Sequence, residues 1–189
     1  TTSMTYYNRR NFLRTSLIGG AAITFMNPLK AFSSGSFSSD KGAAVSLTTG
    51  TDRADMVFRA LSSFSDEIRR AIGKRRIVLK PNNVLIYVPL ACTHVETLEG
   101  ILEFLKSIRK LDNVIIAESS ASCPTLEGFD NYGYFSLLSK YPVKLVDLDE
   151  GPFEMMYVVN ERDFRPQPIK VSSVITDPDS YIVSVARMK

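Results

Sequence analysis

From Ala43 onward, apolar residues come in two alternating rhythms, short unbroken runs and longer stretches at helical spacing. Ala43-Ala44-Val45-Ser46-Leu47-Thr48 reads as a short first strand closed by Thr49-Gly50. Asp52 is placed to cap a helix carrying Met56, Val57, Ala60, Leu61, Phe64, Ile68 and Ile72 on one face, with Gly73 as its stop. Ile77-Val78-Leu79 predicts a second, buried strand, halted by Lys80-Pro81-Asn82-Asn83. Thr93 is read as the cap of a helix through Leu98, Ile101, Leu102, Leu105 and Ile108. Val114-Ile115-Ile116-Ala117 is a third strand whose continuous apolarity suits cover on both faces.

Leu126 to Lys140 predicts a helix of modest quality, broken by Gly128 and Gly133. Val143 to Leu148 is a fourth strand, Glu154 to Val159 an extra one, and Ile169 to Val171 a short one. A single helical turn over Ser172 to Thr176 precedes a last strand, Tyr181 to Val185. Strands separated by helices of this length need crossovers, so the expected fold is three-layer α/β, a mostly parallel Rossmann-like sheet with helices on both faces. Lys189 follows the last strand closely, where such sheets place a functional loop. Residues 43–189 are therefore read as the N-terminal portion of a longer domain.

The chain before that domain has another character. Residues 1–39 contain no Asp or Glu, and Arg9, Arg10 and Arg14 precede an uncharged stretch from Thr15 to Pro28 and a small-residue zone, Ala31 to Ser36. A basic, then apolar, then small-residue order is that of a secretory signal. Arg9-Arg10-Asn11-Phe12-Leu13-Arg14 resembles the twin-arginine consensus. The expectation is a twin-arginine signal over residues 1–33, a Ser/Gly-rich linker over 34–42, the twin-arginine translocase as partner during export, and a periplasmic location. The apolar stretch falls short of the roughly 20 residues of a stable transmembrane helix, so no stable span is expected.

Taking the signal away changes the charge picture. The whole chain carries 23 Lys and Arg against 20 Asp and Glu, but four of the basic residues lie in the signal, which leaves 19 against 20. The basic excess thus belongs to the signal. The cluster Arg69, Arg70, Lys74, Arg75 and Arg76 has no interleaved aromatic residues for stacking on bases, so nucleic acid is excluded as a partner. Cys92 and Cys123 form no Cys-x-x-Cys pair, so an iron–sulfur cluster or other metal would need residues outside this chain, and the two are read as separate thiols.

Candidate chemistry collects just past the strands. Lys80, Asn82, Asn83, Thr93 and His94 follow the second strand, Glu118 the third, and Lys189 the last. Lys80, His94 and Glu118 are the candidate catalytic groups, since an amine, an imidazole and a carboxylate can exchange protons. Asn82, Asn83, Thr93 and Lys189 are the candidate ligand-binding groups, suited with a helix N-terminus to a small anion. Ser119 to Ser122 lacks the Gly-x-Ser-x-Gly elbow of a hydrolase nucleophile, and no Gly-x-Gly-x-x-Gly or phosphate-loop motif is present.

Three segments together resemble the family named domain of unknown function 362: Ile77 to Asn83, Thr93-His94-Val95-Glu96, and Val114 to Ser120. Thr49 to Arg53, Tyr132-Gly133-Tyr134 and Val143 to Asp149 extend the likeness over roughly Ala43 to Lys189. The resemblance implies an α/β domain, and in some members an added ferredoxin-like cluster module. The family's usual continuation, a Leu-Pro-Lys-x-Lys-Thr-His segment, is replaced here by Val185-Ala186-Arg187-Met188-Lys189. Two functions fit these observations. One is a metal- or iron–sulfur-associated redox or enzyme domain working through Lys80, His94 and Glu118. The other is a non-catalytic periplasmic protein that captures a small anionic ligand.

Overall fold

The unbroken apolar runs become the strands of a parallel sheet in the computed structural model, which describes residues 43–121 and 123–187. From Ser46 onward the chain is one body. Helices α1 (Arg53–Ser62) and α2 (Ser65–Ile72) lead into β1 (Arg76–Pro81), and a short 3-10 turn (Pro89–Ala91) precedes α3 (Val95–Ser107). Then follow β2 (Val114–Glu118), α4 (Thr125–Asn131), a 3-10 stretch (Tyr134–Ser139) and β3 (Val143–Asp147). The chain ends with β4 (Phe153–Val159), β5 (Pro166–Ser172), the short helix α5 (Ser173–Thr176) and β6 (Ser180–Val185). Four strands form one parallel sheet in the order β3-β2-β1-β6, and β4 and β5 pair antiparallel as a separate ribbon.

Alternation along the strands divides the core in two. Ile77, Leu79, Val114 and Ile116 point toward the face covered by α1, α3 and α4. Val78, Ile115 and Ala117 point to the other face, where Val174 and Ile175 of α5 and Val146 cover them. The expected α/β class and parallel sheet are present, with a thick helical layer on one face and a slender one on the other. Leu79, Leu98 and Ile116 are wholly buried on the thick side, and each such side chain contributes about 1.5–3 kcal/mol. Helices α1 and α3 approach closely because Gly100 has no Cβ, which would stand 2.4 Å from the backbone oxygen of Ala54.

Four local expectations are corrected. Ala43 to Thr48 form no strand, and Leu47 is exposed, so this apolar run has no buried face to hold it in a sheet. The helix after Asp52 is two helices, interrupted at Ser63-Phe64, although Asp52 caps the first as expected by accepting from the Asp55 amide at 3.0 Å. His94 rather than Thr93 occupies the N-cap of α3. The predicted break at Gly128 does not occur; the helix runs through it and stops near Gly133, whose φ of 74° is left-handed. The twin-arginine signal and linker lie outside the described residues.

Candidate functional site at the carboxyl edge of the sheet

Strand order decides where a parallel sheet opens. The β1–β2 and β2–β3 crossovers, through α3 and α4, run over the thick face, whereas the β3–β6 connection passes through α5 on the other face. The chain therefore reverses its winding at β1, and the carboxyl ends of β1 and β6 flank a topological switch point, where such sheets hold ligands.

Lys80 lies near the end of β1 beside that point, and its Nζ donates to Oε1 of Glu118, the last residue of β2, at 2.7 Å. The two partners differ sharply in exposure, 40% for the Lys80 side chain against 5% for Glu118. A carboxylate this buried needs compensation for lost hydration, and it has two donors, the Lys80 ammonium and the Ser119 amide at 2.9 Å. An ammonium carries three N–H groups. Glu118 takes one, and no other partner of Lys80 exists among the described residues.

Thr93 and Asn82 stitch this edge together. The Asn82 amide donates to Thr93 Oγ1 at 2.9 Å and the Thr93 amide donates to the Asn82 carbonyl at 3.0 Å. The Thr93 hydroxyl then donates to the Val185 carbonyl at the end of β6, while its own carbonyl accepts from Tyr134 Oη at 2.6 Å. Asn82 Nδ2 donates to the Ala91 carbonyl at 2.8 Å. His94 caps α3, its Nδ1 accepting from the Glu96 amide at 3.3 Å, and no contact joins it to Lys80 or Glu118 among the described residues. Lys189 lies outside the described residues.

Asn83 is wholly buried, yet neither polar atom of its side chain has a partner. Its Nδ2 packs where a Cβ on Gly128 would stand, 2.6 Å away, which explains a glycine inside α4. Ser120, after β2, likewise buries an unpartnered hydroxyl. Beyond it the edge turns acidic: Ser119 Oγ donates to Asp149 at 2.7 Å. A cleft of about 370 Å³ opens beside Ser119 and Asp149, walled by Phe153, Lys170 and Ile175.

Under the thick face, tyrosines hold their protons tightly. Burial, helped by the neighbouring Cys92 thiol, pushes Tyr132 up to about 12. Burial also raises Tyr134, with Cys92 and Glu118 adding to it. Cys92 is buried, its thiol donating to the Leu85 carbonyl at 3.2 Å, and no disulfide joins it to Cys123. A cluster or metal centre is not matched by these donors: among the described residues no three His, Cys, Asp or Glu side chains converge to hold an ion. No helix among the described residues is long and apolar enough to cross a membrane.

The sequence places Ser120 and Asp149 just past strand ends and Tyr132 and Tyr134 in the family likeness, but it assigns none of them a role, because their surroundings depend on contacts between segments distant in the chain. Compared with known proteins, residues 77–189 match the model of the family described as Domain of unknown function (DUF362). No curated protein and no solved structure matches the chain.

Proposed function

The chain belongs to that family, and from this premise we propose that its sheet edge binds a small anionic molecule, with Lys80 as the cation that meets it. One observation carries the reading: the Lys80 ammonium is held at 2.7 Å by a carboxylate that is 5% exposed, while its own side chain is 40% exposed. Glu118 positions Lys80 and the ligand takes the donors left over. The amino end of α3 lies beside the same crevice, through Thr93, and its partial positive charge acts in the same direction. Calorimetric titration with inorganic phosphate and with simple carboxylates tests this. Binding that disappears in Lys80→Met supports it, and equal binding by the variant overturns it.

The same reading places the work outside the cytoplasm, by way of the twin-arginine translocase. The Arg9-Arg10-Asn11-Phe12-Leu13 pattern supports this route. Replacing both arginines by lysine should leave precursor in the cytoplasm, as seen on fractionation. Undiminished export of that variant would reject the route.

A further inference from the structure

The β4–β5 ribbon stands apart from the sheet, and its two edges are unlike. The Asn160 amide donates to the Arg165 carbonyl at 2.9 Å at the turn, and the Ser173 amide to the Pro152 carbonyl at 2.9 Å at the root. These two contacts set the phase of the ladder. Its bonds fall at Val158↔Gln167, Met156↔Ile169 and Glu154↔Val171. At the intervening pairs, Val159↔Pro166, Tyr157↔Pro168, Met155↔Lys170 and Phe153↔Ser172, the N–H and C=O groups turn outward.

Both prolines of β5 therefore remove only outward donors. They blunt that edge without touching the ribbon's own ladder. The β4 edge has no such protection. Phe153-Glu154-Met155-Met156-Tyr157-Val158-Val159 contains no proline and one charge, and it pairs with β5 alone among the described residues. Met155, Tyr157 and Val159 are 50%, 71% and 68% exposed. A lone two-stranded ribbon is marginal in water, and a free apolar edge on it invites another strand.

We propose that this edge pairs with β4 of a second copy, antiparallel about a two-fold axis at Met156, joining two ribbons into a four-stranded sheet. The edge complements itself. With Met156 on the axis, Phe153 faces Val159, Met155 faces Tyr157, and all four outward N–H groups of each copy meet outward carbonyls. The facing pairs are aromatic against β-branched or thioether, both favourable across strands. Charge fits as well. Glu154, the sole charge of β4, faces Val158 rather than its own counterpart, so no like charges meet across the axis.

Sedimentation of the purified chain over a concentration series, with hydrogen exchange of the β4 amides, tests the pairing. The wild type should pass from one chain to two as concentration rises, with Phe153, Met155, Tyr157 and Val159 amides becoming protected in step. Tyr157→Pro deletes an outward donor just as Pro168 does, so it should abolish the two-chain species. If that variant misfolds, Met155→Lys/Tyr157→Lys, which sets lysine against lysine across the axis, should do the same. A wild type that remains one chain throughout, a two-chain species that survives both variants, or edge amides protected at the mass of one chain would overturn the proposal.

Discussion

The two ends of the parallel sheet both carry cations, but they hold them differently. At the amino end, Arg76 pairs with Asp177 at 2.7 Å, Lys110 donates to the Gly73 carbonyl at 2.6 Å, and Arg75 lies 5.0 Å from the centre of the Tyr181 ring. A cleft of about 440 Å³ opens there among Lys74, Arg75 and Arg76. These partners are exposed or half-exposed, Asp177 at 35%, and the contacts tie helix ends and strand starts together. At the carboxyl end a single lysine leans on a carboxylate hidden from water. Concavity and positive charge alone would select the amino end. What singles out Lys80 is a counter-ion too buried to be compensated by solvent, at the point where the strand order reverses.

That difference can be broken by substitution. Lys80→Met leaves Glu118 buried without its cation and should lower stability by about 2 kcal/mol, less than for a fully enclosed pair because Lys80 is itself partly hydrated. Lys80→Met/Glu118→Gln should recover much of the loss, and urea unfolding of the three proteins measures both. A loss in the single variant that the second substitution fails to relieve would count against compensation as its cause.

Alkali should act more gradually. Tyr132 has its pKa raised from 10.0 to about 12 by burial and the Cys92 thiol, so the folded state holds the phenol proton more tightly than the unfolded chain. Its contribution is complete below pH 10 and drains away as pH rises toward about 12. Spectrophotometric titration should show a group of phenols ionising late, with Tyr134 and Tyr141, also raised by burial, in that group. Early ionisation of every tyrosine in the folded protein would contradict the packing. The smallest effect belongs to the amino end. Arg76→Met should change the urea midpoint by an amount worth less than about 1 kcal/mol, since its pair is partly hydrated on both sides.

Where the fold was legible, continuity of apolar residues was the signal. Val114 to Ala117 read as a strand covered on both faces, and β2 is buried at all five positions. Ile169 to Val171 read as a strand too short at its start, because Pro166 and Pro168 argue against a ladder until their outward orientation is known. Ala43 to Thr48 misled for the opposite reason: a run of suitable residues makes no strand without a buried face to hold it. At the site, Lys80 and Glu118 could be named from strand ends, but their meeting depends on β1 and β2 being adjacent. The contact of Asn83 with Gly128 joins residues far apart in the chain and leaves no local trace.

The central claim is that the carboxyl end, not the more strongly basic amino end, receives an anion. Inorganic phosphate titrated into isotopically labelled protein, followed by amide and lysine side-chain resonances, addresses it directly. Shifts should gather at Lys80, Asn82, Asn83 and the first turn of α3, and vanish in Lys80→Met. Shifts confined to Arg75, Arg76 and Lys110, or a pattern unchanged by Lys80→Met, would contradict the account.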